Sequence, residues 1–577
     1  MKNLKYLFQK HLKECVFTIC LIFLFSCDDD GFLEEEPLSL YTPDNSFITS
    51  SDFEAAINNL YSGFRGGFYT DTNDWELSPR NKVEGTDLTT WSQNANNYPN
   101  ELIPTSGLVY SAYWRPAYNI IYDANVIIAY AQAESSELSE EEKLRVEAEA
   151  RFFRGYMYKL LANFYGGVPI VLEEVTEPKR DYVRATRNET YEQSVIDLNF
   201  AAENLPGIAE VASYRISALA AYHALAEAYI SLGEWDNAIA AASVTIDDPN
   251  TALMTERFGE RLDDEFNPAI PWANGGDVYW DLFRNGNQNR SAGNTEALWV
   301  IEFEFGTPGG MGGGTRWETF AVPQLYNLQV INSDGSRSDL IPEVNTYYGG
   351  RGNGHLNPSD YFLTQIWDES GFEEDIRNAD HNIIRDFKVN NPASEHDGKW
   401  IYEDNLELRI SNPNRVVFPL IAKVTSMGDH PIELWLEDQT VQGSMVSRGP
   451  DANTTYHDDY EMRLAETYLV RAEAYVGKGD FESASQDINV VRARAQAPEV
   501  LVSDVDLEYI LNERARELYG EENRMETLLR LGLLVERNNR YNDQFDFYPH
   551  QNLWPIPFSE IEKNTGAVLE QNPGYNQ

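Results

Sequence analysis

The sequence has 577 residues, with 93 acidic against 45 basic side chains and a net charge of −48. Such an acidic surface repels phosphate backbones and argues against nucleic-acid binding, while 42% apolar residues can bury a large core. The chain has three cysteines, two of them within the apolar leader, so a disulfide framework and a cysteine-based zinc site are excluded.

The N-terminus has the pattern of a bacterial export signal. Four lysines precede an apolar run over residues 15–25, which is shorter than the roughly 20 residues that a helix needs to span a bilayer. Leu24-Phe25-Ser26-Cys27 resembles a lipobox, so we predict a lipoprotein signal peptide over 1–26 and a lipid anchor on Cys27. The alternative is cleavage nearby, which would leave Cys27 as a free thiol without a later cysteine to pair with.

Residues 27–50 are predicted to form an acidic tether between the lipid and the folded body. Asp28, Asp29 and Asp30 directly follow Cys27. An acidic cluster at this place resembles the signal that sends lipoproteins to the outer face of the cell in Bacteroidota. A solvated linker is the alternative interpretation.

From residue 52 onward the pattern becomes helical. Apolar and aromatic residues recur at steps of three and four from Trp114 to Ile128 and again over 141–164, which predicts two helices. Gly166-Gly167-Val168-Pro169 is predicted to end the second helix.

Two distant segments carry an internal repeat. Ala226-Glu227-Ala228-Tyr229 and Ala472-Glu473-Ala474-Tyr475 are each followed, at identical spacing, by a glycine, an aromatic residue and an alanine. This predicts two tetratricopeptide-like helical hairpins with Tyr229 and Tyr475 in equivalent, largely buried positions. Because the copies lie 246 residues apart, a large insertion must separate them, and they cannot be neighbours in a simple tandem solenoid. Two unrelated alanine-rich hairpins are the alternative.

The insertion has a different character. Trp299, Ile301, Phe303 and Phe305 alternate as in a half-buried strand. Stretches rich in Asn, Gly and turn residues follow, with tryptophans and tyrosines running through them. Long irregular loops in a compact protein usually carry function or are disordered, and the aromatic residues favour function here.

No constellation specific for catalysis is present in the sequence. The eight histidines are scattered, without a His-Glu-x-x-His motif or a Gly-x-Ser-x-Gly elbow, and His223 in an alanine-rich helix is predicted to be a packing residue. Asp263-Asp264-Glu265 could bind calcium, but a solvated loop is the preferred interpretation. We therefore predict no enzyme activity, no cofactor and no metal.

Aromatic residues in polar loops are the candidates for ligand contact. Sugars stack their apolar C–H faces on flat rings while their hydroxyls bind Asn, Asp and Arg, and Trp91 follows Gly85-Thr86-Asp87 with Asn94 three residues on. Trp91 and Trp317 are expected to be exposed on one face, although burial is the alternative for any loop tryptophan. The remaining candidates are Arg80, Trp75 and Trp280.

Further segments occur in an order that is typical of one protein family. They are Phe32-Leu33 with Pro37, Asp123-Ala124-Asn125, Ala148-Glu149-Ala150-Arg151-Phe152-Phe153-Arg154, Tyr165-Gly166-Gly167-Val168-Pro169, Arg463-Leu464-Ala465-Glu466, Arg471-Ala472-Glu473-Ala474, Asn489-Val490-Val491-Arg492-Ala493-Arg494, Glu513-Arg514-Ala515-Arg516-Glu517-Leu518, Trp554-Pro555-Ile556-Pro557 and Gln571-Asn572-Pro573-Gly574-Tyr575. In these motifs the chain resembles the SusD/RagB family, over almost the whole mature sequence.

The resemblance implies a mainly α, SusD-like fold with four tetratricopeptide-like helix pairs and a loop-rich, partly β ligand-binding region. We expect an N-terminal helical region over 51–260, the loop-rich insertion with the ligand face over 261–455, and a C-terminal helical region with its tail over 456–577. Glu513 and Glu517 share one helix face, which predicts buried arginine–carboxylate networks between helix pairs. Pro555 and Pro557 stiffen a tail that is expected to pack back onto the body.

The resemblance also implies a function. It implies a SusC-like TonB-dependent outer-membrane transporter as partner, and it places Trp91 and Asn94 where some members have a glycan platform. We expect a lipid-anchored, surface-exposed protein of the cell outer membrane that captures an oligosaccharide for this transporter. The alternatives are a RagB-type peptide binder, a surface glycan hydrolase and a helical-repeat adaptor for proteins.

Overall fold

The computed structural model describes residues 46–69, 80–92, 97–259, 276–310, 314–410, 413–446, 454–542 and 544–575. The signal peptide, Cys27 and most of the tether lie outside these ranges. Within them, no helix is both long enough and apolar enough to cross a membrane.

Helices make up about half of the described chain. The longer helices are α1 (Ser50–Phe68), α2 (Arg115–Ala131), α3 (Glu140–Tyr165), α4 (Arg187–Asn204), α5 (Ala218–Leu232), α6 (Trp235–Ile246), α7 (Leu464–Lys478), α8 (Phe481–Arg494), α9 (Leu507–Leu518), α10 (Arg524–Leu531) and α11 (Leu534–Tyr541). Helix α3 begins at a capping box in which Ser139 and Glu142 exchange hydrogen bonds, and it ends at Gly166. Both helices predicted over 114–164 are thereby confirmed.

Helices α1 to α8 pack in a row. Each of α1 to α6 packs on the next in sequence, after which α6 packs on α7 and α7 on α8. Taken two at a time, α1 to α8 make four pairs, the number that the family resemblance implies. The mainly α fold class is confirmed.

The internal repeat is confirmed in the hairpins α5–α6 and α7–α8. Gly233 and Gly479 end the first helix of each hairpin in the left-handed conformation, with φ of 73° and 84°. The backbone N–H groups of residues 234 and 480 donate to the carbonyls of Tyr229 and Tyr475, both at 2.9 Å. Both tyrosines are half-buried and pack against hydrophobic cores. The hairpins also stack directly through α6 and α7, because the insertion loops out and leaves them neighbours in space.

Short antiparallel strands tie the insertion to the helices. They are β1 (Thr89–Trp91), β2 (Ala297–Ile301), β3 (Gln329–Ile331), β4 (Arg337–Asp339), β5 (Leu356–Pro358), β6 (Ile383–Ile384), β7 (Leu408–Arg409), β8 (Leu420–Ile421) and β9 (Asp459–Arg463). Strand β1 pairs with β5, β2 with β9, β3 with both β4 and β7, and β6 with β8.

Strand β2 is buried on both faces, so the prediction of a half-buried strand is wrong in that respect. All five of its residues are buried. Leu298 and Trp299 enter the main helical core, whereas Val300 packs in a separate cluster with Tyr460 of the partner strand β9. The strand therefore lies between two cores, where alternation of apolar and polar residues is not needed.

A buried ion network joins α8 and α9 to the insertion. Its buried members are Arg377, Lys423, Arg463, Arg492, Arg494 and Arg516 with Glu296, Asp375, Glu513, Glu517 and Glu521. Glu513 and Glu517 face this network together, as predicted, while Arg514 on another face of α9 pairs with Glu466 and Glu522.

The C-terminal tail packs back onto the body, as predicted. Trp554 and Ile556 are fully buried, and the backbone N–H of Trp554 donates to the carbonyl of Phe164 at 2.7 Å. The prolines on either side of Ile556 keep the chain extended.

Candidate ligand-binding site

The segment that leads into Trp91 is held by the C-terminal helices. Asp87 is fully buried and accepts hydrogen bonds from Arg524 on α10 and from Arg537 on α11. Burial alone would raise the pKa of Asp87, but the two guanidinium groups outweigh it and hold that pKa well below its usual range. Asn542 donates to the carbonyls of Thr86 and Thr89, both at 2.7 Å. The polar loop before Trp91 is thus buried, because the C-terminal helices cover it and bind its polar groups.

Trp91 is half-buried at the end of β1. It lies opposite Leu356 of β5, and the backbone N–H of Ser92 donates to the carbonyl of His355 at 2.9 Å. The imidazole of His355 stacks on the indole, with ring centroids 5.0 Å apart and planes 14° from parallel, and the ring of Phe320 lies 6.3 Å away. Cross-strand packing of this kind fixes the orientation of the indole while part of its surface stays in solvent.

Arg415 lies next to His355. Its Nη2 lies 3.4 Å from His355 Nε2, and its Nε donates to the carbonyl of Asn353 at 2.7 Å. The backbone at residue 354 passes close to that of Arg415, which requires a glycine at this position. Its φ is +61°, and a Cβ would lie 2.2 Å from the Arg415 carbonyl oxygen. Partial burial lowers the pKa of Arg415, although a guanidinium stays charged at neutral pH.

Tyr326 and Arg351 complete the group. The Arg351 guanidinium carbon lies 5.9 Å from the centre of the Tyr326 ring, within reach of a cation–π contact. Burial raises the pKa of Tyr326, and the charges of Arg351 and Arg415 oppose that rise. We call Trp91, His355, Arg415, Tyr326 and Arg351 the aromatic–arginine row. It offers flat rings for stacking beside guanidinium donors for hydroxyl or carbonyl oxygens.

Trp317 is buried, so its expected exposure is wrong, and the further candidate Trp280 is buried as well. Trp317 is 2% exposed and begins the short helix Trp317–Ala321, where the next residue, Glu318, is anchored by His430 Nε2 at 2.8 Å. Trp280 is 3% exposed, and the guanidinium carbon of Arg284 lies 3.9 Å from its ring centre. Both tryptophans belong to hydrophobic cores, and the half-buried Trp91 packs against the core that contains Trp317.

The other predicted positions give less information. Trp75 and Asn94, like Cys27, lie outside the described residues. Arg80 begins the short helix Arg80–Val83.

His355, Arg415, Tyr326 and Arg351 were not predicted as site residues. Their signal in the sequence is the stretch Gly350-Arg351-Gly352-Asn353-Gly354-His355, within the predicted ligand face. Glycine at alternate positions beside Arg and His indicates a backbone that passes close to other segments.

Comparison with protein families gives two matches that together cover most of the chain. Residues 31–230 match the family described as "Starch-binding associating with outer membrane". Residues 344–575 match the family described as "SusD family".

Relatives match the chain over different shares of its length. The SusD-like protein P2 of Formosa agariphila is 27% identical, over 97% of this chain and 99% of the relative. The starch-binding protein SusD of Bacteroides thetaiotaomicron is 34% identical over a shorter segment, which covers 22% of this chain and 23% of the relative.

Solved structures share the fold. A laminarin-binding SusD-like protein superposes with a TM-score of 0.64 at 21% identity, covering 92% of this chain and all of the other. Surface glycan-binding protein A of Bacteroides thetaiotaomicron, in complex with laminarihexaose, gives a TM-score of 0.63 at 17% identity, covering 91% of this chain and 99% of the other. The two family matches show that the chain belongs to the SusD/RagB family, and the solved structures show the same fold.

Proposed function

We propose that this chain is a lipid-anchored protein of the outer-membrane surface that binds an oligosaccharide, does not cleave it, and delivers it to a SusC-like TonB-dependent transporter. The observation that carries the binding step is the aromatic–arginine row, in which the half-buried Trp91 ring is held by His355 with Arg415 alongside. A sugar presents apolar ring faces and hydroxyl groups. In the aromatic–arginine row, the flat side-chain rings can stack on the ring faces and the guanidinium groups can donate hydrogen bonds to the hydroxyl oxygens.

The comparisons support a glycan as the ligand class. The relatives and structures named above include proteins described as binding starch, laminarin and laminarihexaose. We therefore take laminarihexaose and a starch-derived hexasaccharide as the first probes, with a peptide panel as the competing ligand class.

The binding step is tested by calorimetric titration of the wild type and of Trp91→Ala. A sugar ring stacked on the indole would bury roughly 80 Å² of apolar surface, worth about 2 kcal/mol, so the Kd should rise roughly 30-fold. Trp317→Phe is the matched control, because it also changes a tryptophan but in a buried position, and it should leave the Kd unchanged. Equal affinity of Trp91→Ala and the wild type, or binding of peptides alone, would refute the proposal.

The absence of cleavage and the transporter partner need separate tests. Incubation with any oligosaccharide that binds should leave its chain length unchanged by chromatography; shortened products would indicate a hydrolase. Affinity purification from detergent-solubilised outer membranes should recover a large TonB-dependent barrel. Repeated recovery of the protein alone would contradict the delivery step.

A further inference from the structure

A second polar site lies inside the helical body, away from the aromatic–arginine row. It is a cavity of about 80 Å³ with charged groups from α3, α5, α7, α9 and α10 in its wall. A space of this size holds one or a few water molecules or an ion, which is too small for a sugar.

Three groups in this cavity converge in a way that suits a metal ion. His223 and Glu227 are four residues apart on α5 and therefore share a face, and Glu466 reaches them from the first turn of α7. One potential ligand atom from each of the three lies within 4.8 Å of the others. His223 is 1% exposed.

The histidine is already oriented for coordination through Nε2. Its Nδ1 lies 2.8 Å from Thr467 Oγ1. In the tautomer that carries its proton on Nδ1, this atom donates to Thr467 and Nε2 keeps its lone pair. Nε2 lies 3.8 Å from Glu466 Oε2. A hydrogen bond from the second ring nitrogen is the usual way in which a metal-binding histidine is fixed.

Both carboxylates are held through a single oxygen. Lys159 Nζ lies 2.8 Å from Glu227 Oε2, and Arg514 Nη2 lies 2.5 Å from Glu466 Oε1. The other oxygen of Glu466, Oε2, is the one that faces His223. The two cations thus position the carboxylates without covering the oxygen that is closest to the imidazole.

The balance of charges in the cavity wall also favours a bound cation. Six glutamates line it, against Lys82, Lys159, Arg514 and Arg530. Glu521 is already paired with Arg463 and Lys423, which lie outside the wall. With a neutral His223, the other five glutamates therefore exceed the four cations by one negative charge. A buried excess of negative charge is costly unless a cation offsets it.

We propose that His223, Glu227 and Glu466 bind one zinc ion, with water in the remaining coordination position. One imidazole nitrogen with carboxylate oxygens suits zinc, whereas calcium and magnesium prefer oxygen ligands alone. The ion joins α5 to α7, and hence the two repeat hairpins that the insertion separates in sequence. This proposal is independent of the glycan function and departs from the sequence-based prediction of no metal.

The test uses the full mature chain, stripped with a chelator, reloaded with zinc, desalted and analysed for bound metal. The wild type should hold one zinc per chain and show a higher thermal midpoint than the stripped protein. His223→Gln should lose both the zinc and the increase in midpoint. His457→Gln, which changes another buried histidine outside the cluster, should keep both. Zinc-free wild type after reloading, or equal zinc in His223→Gln and the wild type, would overturn the proposal.

A second measurement covers the case in which His223→Gln does not fold. A zinc-edge anomalous map of wild-type crystals should show a peak about 2.0–2.1 Å from His223 Nε2. A map with no peak at this position overturns the proposal, whatever the variants do.

Discussion

The buried ion network makes a quantitative prediction at Glu517. This carboxylate is fully buried and accepts hydrogen bonds from Arg463 at 2.7 Å, from Arg377 at 3.0 Å and from Arg494. With Lys423, which pairs with Glu521, the buried groups of the network are six cations and five acids, so Glu517→Gln increases the excess of buried positive charge from one to two. Removing one partner of a buried ion pair typically costs about 3–5 kcal/mol of unfolding free energy.

Urea unfolding followed by tryptophan fluorescence measures this cost. Glu140→Gln is the matched control, because the Glu140 side chain is 89% exposed in its pair with Lys143 and exposed pairs contribute at most about 1 kcal/mol. We expect Glu517→Gln to unfold at clearly lower urea and Glu140→Gln to match the wild type. A Glu517→Gln variant within about 1 kcal/mol of the wild type would refute the electrostatic reasoning.

The same network predicts how stability depends on acid. Burial alone would raise the pKa of Glu513 and Glu517, but the surrounding guanidinium groups lower both, that of Glu513 to about 2. The unfolded carboxyls titrate near 4.5, so the stabilisation is complete above that pH and is lost as the pH falls toward 2. The slope of stability against pH below 4.5 should be smaller in Glu517→Gln than in the wild type.

Three further predictions follow from other parts of the chain. Tyr229→Ala and Tyr475→Ala should each cost about 1–3 kcal/mol in urea unfolding, less than for a fully buried aromatic residue because both rings are half-buried; a large difference between the two would argue against equivalent positions. Burial raises the pKa of Asp458 and Asp459 to about 7. The folded state therefore takes up protons between about pH 4 and 7, and stability should fall as the pH rises through this window, by up to about 4 kcal/mol for each group; Asp459→Asn should lose its share of that fall. Cys27→Ala should release the protein from membranes into the soluble fraction, and a wild type that takes up no labelled fatty acid would contradict the anchor.

The helical body could be predicted from the sequence because its signals are local. The spacing of Ala, Tyr and Gly in the repeat sets a helix, a left-handed end and a returning helix, all within about twenty residues. The same spacing could not show that α6 and α7 touch, since that contact depends on the path of the whole insertion.

The local composition of the sequence could not predict whether a given tryptophan is exposed or buried. Trp317 follows a glycine-rich stretch that suggested a surface loop, yet a short helix anchored by Glu318 turns its ring inward. Trp280 is likewise covered by Arg284. The partners of Trp91, His355 and Arg415, come from segments more than 250 residues later, so only the folded chain brings them together.

Helix α7 packs on α6 but follows the insertion in sequence. The helical body therefore cannot be completed until the whole insertion has been synthesised. During synthesis α1 to α6 can pack on one another, but the side of α6 that contacts α7 stays without its partner until residues beyond 464 have been made. Joining segments so far apart in sequence requires closing a long loop, which slows folding and leaves apolar surface exposed in the meantime. A change in the insertion can therefore lower the yield of folded protein even when it leaves the aromatic–arginine row intact, because it can slow the packing of α7 on α6.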